Sequence, residues 1–364
     1  MKIKRLLLVG SASVHTWRYL EGIAAHVDEI WLATNAEVPE GRRPANLAGV
    51  LRVDFRFSSF SAVGKLRGWM KSVKPDVVHI HQANSVAWHA TRAARGLNIP
   101  LMLTTWGSDV LLLPEGNPLM AQMVKSNLAS ADLITSDSLY MAAKIRELAG
   151  SSKRIAILNY GMDALPEAAP SATKAKRVLS CRLHKKLYRI DTILRAWAGV
   201  EASGRYPHWR LTVAASGDQS EALQELAATL KLERVDFTGF VPAAELAALY
   251  RDSRVFVSVP KSDATSISLL EAMGHGCLPL LSNLPANLEW VIDGLNGRIA
   301  EDLGRLDAAL MQAMDAATDN EQLDEIATLN RKLVSKKALH RDNMAQFAAL
   351  YGELLHSPES HLKS

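Results

Sequence analysis

Short, largely apolar runs recur along this chain, most of them followed by a stretch of helical spacing. Residues 6–9, 29–33, 76–81, 101–104, 132–135 and 155–158 read as strands in the first half. Between them, 16–26 has helical spacing through Tyr19, Leu20, Ile23 and Ala24; 83–95 is helical and stops at Gly96; 139–149 is helical. Strands that leave one face in water alternate polar and apolar residues, and these do not. Strand–helix alternation with both faces covered restricts the fold to a parallel sheet lined by helices. The pattern restarts after residue 176, with strands at 178–180, 210–214, 234–238, 255–259 and 278–281. Helices are predicted over 191–201, 220–230, 243–251 and 268–275, and beyond about residue 305 the chain reads as helical throughout.

A chain of 364 residues is too long for one ordinary core and suits two domains. The expectation is an α/β protein of two doubly wound, Rossmann-like domains facing a central cleft. Residues 1–165 form the acceptor-side domain, and 166–176, rich in Pro, Ala and polar residues, reads as a linker. Residues 177–338 form the second domain, and 339–364 a terminal helix crossing back toward the first. With 42 Lys and Arg against 38 Asp and Glu, the net charge is +4, which is not a nucleic-acid-binding composition. The stretch 61–74 sets Lys65, Arg67, Lys71 and Lys74 among Leu66, Trp69, Met70 and Val73. It has two readings: a solvated helix packed on its domain, or a surface making peripheral contact with an anionic membrane. Two cysteines, Cys181 and Cys277, without metal-type spacing fit reduced buried thiols and a cytoplasmic protein. The apolar run at residues 6–10 is too short for a signal peptide, and no run approaches the roughly 20 residues of a membrane span.

The stretch Ser262–Gly276, SDATSISLLEAMGHG, concentrates the chemistry. It follows a strand and opens a helix, so it lies at the carboxyl end of a parallel strand, where open α/β sheets bind ligands. Free N–H groups and the helix dipole there suit a phosphate. Asp263 and Glu271, eight positions apart, can accept from sugar or ribose hydroxyls. A plainer reading stands beside this one. Ser268 and Glu271 fit a capping box, and Asp263 fits an ordinary turn.

Longer landmarks fall in order along the chain: Pro75–His81, Thr105-Trp106-Gly107-Ser108-Asp109, Ala131–Ser138, Asn159–Asp163, Ser180-Cys181-Arg182-Leu183, Phe237–Val241, Glu271-Ala272-Met273 and Asn287–Gly297. From about residue 5 to about residue 355 the chain resembles the retaining GT-B glycosyltransferases of family 4, the group 1 glycosyltransferases, of the bacterial surface-polysaccharide type. Their acidic pair is spaced E-x7-E, and Asp263 and Glu271 stand at its two positions. The resemblance implies that Asp263 lies near the donor sugar and that Glu271 accepts from the ribose. Ala264, Thr265, Ser266, Ile267 and Ser268 then offer backbone N–H groups to the donor, and Gly239, Phe240 and Val241 line the base pocket. Arg182 matches the residue that neutralises the diphosphate, with Lys186 or Lys185 as the following lysine. That segment is one residue longer than the usual R-L-x-x-x-K-G form. A fixed positive charge on the leaving group implies no metal and no cofactor other than the donor substrate. In the first domain Gly10, Ser11, His15, His81, Trp106 and Asp109 are the candidate substrate-binding residues; Trp106 stands where the family often has His.

The implied activity is transfer of a hexose-type unit from a nucleoside-diphosphate sugar to a hydroxyl of a glycan or lipid-linked acceptor. Bacterial polysaccharide or lipopolysaccharide assembly, at the inner face of the cytoplasmic membrane, is the implied setting. Two alternatives remain at this stage: a catalytically silent sugar-nucleotide or glycan-binding subunit, and a sugar-nucleotide epimerase on the same fold.

Overall fold

The computed structural model describes residues 3–356. The chain forms two compact units: one runs to Tyr160 and resumes at His340, and the other is Gly161–Leu339. The segment expected as a linker lies inside the second unit. Lys174, within it, is buried, and its ammonium donates to the carbonyls of Arg251 (2.6 Å), His275 (2.9 Å) and Ser253 (3.2 Å). A charge among three carbonyls is a fixed joint, and the next residue, Ala175, already begins a strand.

The first unit holds seven parallel strands: β1 (Arg5–Val9), β2 (Glu29–Thr34), β3 (Leu47–Arg52), β4 (Val77–His81), β5 (Leu101–Thr104), β6 (Leu133–Ser136) and β7 (Ile155–Ile157). Their order is β3-β2-β1-β4-β5-β6-β7. The chain reverses its direction of growth between β1 and β4, which places the switch point at the loops after Val9 and His81. β4 is buried at every residue, as a central strand covered on both faces must be. The helix His340–His356 packs Phe347, Tyr351 and Leu354 into this unit's core.

The second unit holds six: β8 (Ala175–Ser180), β9 (Arg210–Ala214), β10 (Val235–Gly239), β11 (Ser253–Ser258), β12 (Leu278–Ser282) and β13 (Arg298–Ala300), ordered β10-β9-β8-β11-β12-β13 and again parallel. Its switch point lies between β8 and β11, so Arg182 and the loop to Asp263 emerge side by side. Trp197, Leu211, Val255 and Leu310 fill the core on one face; Phe256, Leu269, Leu270 and Met273 fill the other. Among the described residues no helix is long and apolar enough to cross a membrane.

Candidate active site

At the switch point of the second unit Arg182 leaves the end of β8 and meets the loop after β11. Its Nη1 donates to Asp263 Oδ2 at 2.7 Å and to Ser266 Oγ. The guanidinium also lies 4.3 Å from the centre of the Tyr188 ring. Burial pulls the Arg182 pKa down, but the Asp263 carboxylate and Tyr188 outweigh it and raise it overall, so the side chain is a fixed cation. Asp263 Oδ1 accepts from Ala264 N at 3.1 Å. The carboxylate thus holds the arginine and shapes its own loop.

The helix that follows is Ile267–Gly274, and its cap differs from the expected capping box. Ser266, not Ser268, is the N-cap: it has extended backbone, and its Oγ accepts from Leu269 N. Ser268 Oγ instead lies 2.8 Å from Ser266 Oγ. With the cap moved two residues back, Glu271 is released from capping. Its carboxylate acts on the buried Tyr250 hydroxyl, which lies 3.0 Å from Cys181 Sγ; burial, Cys181 and Glu271 together raise the Tyr250 pKa. Thr265 Oγ1 accepts from Trp290 Nε1 at 3.4 Å. On the edge strand beyond β9, Gly239 ends β10 with φ +68°, its carbonyl accepts from Ala215 N, and Phe240 beyond it is 78% exposed. An aromatic side chain so exposed beside backbone groups is available to a planar ligand.

Lys186 corrects a second expectation. It opens the short 3-10 turn Lys186–Tyr188, and Arg189 follows in the left-handed region at φ 51°. That is the conformation a glycine adopts most easily, so the glycine of the R-L-x-x-x-K-G form corresponds by geometry to Arg189. The residue before it, against Arg182, is Tyr188. Lys185 and Lys186 line a cavity with Arg189 and Lys261, and Arg182 is not part of that lining. Among the described residues no group of three His, Cys, Asp or Glu side chains is arranged to hold a metal.

In the first unit the loops after β1, β4 and β5 gather aromatic and imidazole rings. His15 and Trp106 meet edge to face at 5.1 Å, His15 stacks on Tyr160 at 6.2 Å, and Trp106 Nε1 donates to Tyr160 OH at 3.1 Å. These three are only partly buried. Ser11 Oγ donates to Gln82 Oε1 at 2.7 Å, while Gly10 is buried and its N–H is bonded to Ala33 O. His81, expected to face substrate, is instead fully buried among Tyr19, His79 and Trp106 with neither ring nitrogen hydrogen-bonded. Burial, then His15, pushes its pKa down to about 3. Asp109 is likewise corrected. It is 3% exposed, and its oxygens accept from Ala83 N at 2.7 Å and Trp106 N at 2.9 Å. It therefore holds the Trp106 loop to β4 instead of offering its carboxylate to a ligand.

Residues 4–138 match the family described as glycosyl transferase 4-like, and residues 175–320 match the glycosyl transferases group 1. The chain belongs to the group 1 glycosyltransferases. Over 138 residues this glycosyltransferase is 28% identical to the GtfA subunit of the UDP-N-acetylglucosamine–peptide N-acetylglucosaminyltransferase of Streptococcus pneumoniae, covering 37% of this chain and 26% of that protein. Over 192 residues it is 24% identical to the GDP-mannose:cellobiosyl-diphosphopolyprenol alpha-mannosyltransferase of Xanthomonas oryzae, covering 50% of this chain and 49% of that one. The chain thus spans about a quarter to a half of the length of these curated relatives. The solved structure of Anabaena HepE in complex with UDP superposes with a TM-score of 0.80 at 15% identity, covering 96% of this chain and 100% of that one. At that identity the likeness establishes the shared GT-B fold.

Tyr188 and Tyr250 are the site residues that sequence reasoning missed in this glycosyltransferase. Tyr188 had no signal, because the left-handed turn at Arg189 that follows it is visible only in the folded loop. Tyr250 had none, because its hydroxyl reaches Glu271 only across the packed layer between two helices. Tyr250→Phe keeps the ring stacked on His275 (5.6 Å) but removes the bond to Glu271. Losing one such bond costs about 1 kcal/mol, or roughly fivefold. The expected result in steady-state kinetics is a donor KM raised about three- to tenfold with kcat within twofold of wild type. An unchanged KM would remove Tyr250 from the site.

Proposed function

We propose that this glycosyltransferase moves a hexose-type sugar from a nucleoside-diphosphate donor to a hydroxyl of a glycan or lipid-linked acceptor, with retention at the anomeric carbon. The observation that carries the proposal is the single fixed cation, Arg182, held by Asp263 and Ser266 beside the N-terminus of the helix that bears Glu271. Arg182 and the N–H groups of residues 264–268 stabilise the leaving diphosphate, and Glu271, aimed by Tyr250, accepts from the ribose. The exposed Phe240 and the backbone at Gly239 and Val241 receive the base. Asp263 orients Arg182 and turns its remaining lone pairs to the sugar.

On the acceptor side, Ser11, His15 and Trp106 present the partly exposed surface, with His81 and Asp109 supporting it from behind. Within the collapsing donor, the bond from C1 to the phosphate oxygen breaks as the acceptor oxygen bonds C1 on the same face. The departing diphosphate oxygen takes the acceptor's proton, so no protein nucleophile is needed. We place the reaction in bacterial polysaccharide or lipopolysaccharide assembly, at the cytoplasmic face of the membrane. The basic helix Ala62–Val73 and the exposed Phe60 support a peripheral membrane contact. Incubation with UDP-, GDP- and dTDP-sugars and candidate acceptors, followed by nuclear magnetic resonance, tests the proposal. It expects nucleoside diphosphate and a product of retained configuration. Binding without turnover would favour a silent subunit, and an isomerised donor without acceptor would favour an epimerase.

A further inference from the structure

Loop 183–189 sends its residues in two directions. Tyr188 turns to Arg182, whereas Lys185, Lys186 and Arg189 turn with Lys261 to a separate cavity of about 360 Å³. We propose that this cavity is a second anion site, taking a diphosphate carried on an apolar or aromatic group. Arg182, Asp263, Ser266 and Glu271 are absent from its lining, so it is distinct from the donor site and does not depend on how that site is read.

Three independent features converge there. The four cations make no ion pair among the described residues, and Asp191 is the one carboxylate in the lining. Four cations against one carboxylate leave a net positive charge whose self-repulsion a bound anion relieves. Two helix N-termini also point at the cavity, Ile190–Ala202 and Ser220–Thr229, and neither has a side-chain cap. Their dipoles add positive potential at the same place, offset in part by Asp191 and Glu221 in the two first turns. The floor is apolar: Ile190 and Leu223 are buried and Leu226 partly so. A bare phosphate leaves such a floor wet, whereas an organic diphosphate covers it. The volume is within the roughly 300–1,000 Å³ of small-molecule sites. Such a ligand has two sources, a free nucleoside diphosphate or the diphosphate of a prenyl-linked saccharide.

Titration calorimetry with inorganic pyrophosphate tests the site. Arg182→Ala disables the donor site, and Arg182→Ala/Arg189→Ala/Lys261→Ala disables both, with unfolding midpoints checked for each. The expected result is one equivalent of pyrophosphate bound by Arg182→Ala and weakened at least tenfold in the triple variant. If Arg182→Ala does not fold, the stoichiometry of pyrophosphate gives the same comparison: two equivalents on the wild type and one on Arg189→Ala/Lys261→Ala. No equivalent surviving Arg182→Ala, or a survivor indifferent to the groove substitutions, would overturn the proposal. UDP and farnesyl diphosphate are then titrated into Arg182→Ala. At least one should bind tenfold more tightly than pyrophosphate, and the tighter of the two identifies the source. Equal affinity for all three would overturn the role of the apolar floor.

Discussion

Arg182→Ala is expected to lower kcat/KM for sugar transfer by about 10²–10³-fold, the loss typical when one preorganised charge-stabilising group is removed from a transition state. The effect is large because the Arg182 guanidinium is fixed by Asp263 and Ser266 and lies over the Tyr188 ring. It also has a structural component. The side chains of Arg182 and Asp263 are 11% and 17% exposed, so removing the arginine leaves a poorly solvated carboxylate with one backbone N–H. Breaking such a pair costs about 3–5 kcal/mol of stability, whereas removing both charges together costs much less. Arg182→Leu/Asp263→Leu should therefore regain most of the stability lost in Arg182→Ala and none of the activity. Steady-state kinetics and thermal unfolding of the three proteins check this. Activity that returns with stability would make Arg182 structural.

The second large effect is acid lability of the first unit. His79 and His81 are fully buried at the end of β4. His79 bonds Tyr351 OH through Nδ1 (2.8 Å) and Thr104 Oγ1 through Nε2 (2.6 Å); Tyr351 in turn meets Tyr19 OH at 2.7 Å. Burial drives the pKa of His79 well below its ordinary value and that of His81 to about 3. Since both folded values lie below the unfolded value near 6.5, the unfolded chain binds these protons first as pH falls. The stability they contribute is complete above pH 6.5 and is lost on acidification, toward about pH 3 for His81. Each such histidine loses about 1.4 kcal/mol per pH unit in this window. His81→Phe, which keeps an aromatic ring and removes the titrating group, should reduce the slope of stability against pH by about that amount between pH 6 and 4. Urea denaturation across that range measures it. Identical slopes for the two proteins would mean that His81 does not titrate as burial requires.

The interior of both sheets was legible because central parallel strands are apolar on both faces: β4, β5 and β12 read directly from the chain. The edges were not. β3 is only partly buried and carries Gly49, over which the Trp31 ring packs, and β13 is three residues long. Glycine inside the run weakens the strand signal of β3, and β13 is too short to give one. In the site, the spacing of Asp263 and Glu271 was readable since one loop and one helix carry both. Lys186 was misplaced because linear spacing does not reveal which residue of a loop takes the left-handed turn. His81 and Asp109 lay close to substrate-binding positions in the sequence, but their burial depends on Tyr19, Tyr160 and Ala83, which only the folded unit brings to them.

The central claim is that Arg182 and Glu271 form one nucleotide site in the second unit. A thermal-shift screen with UDP, GDP and dTDP tests it most directly, since a ligand that binds only the folded protein raises its unfolding temperature. One nucleotide should raise the midpoint of the wild type, and Arg182→Ala and Glu271→Ala should each lose most of that shift. An undiminished shift in both variants would contradict the account.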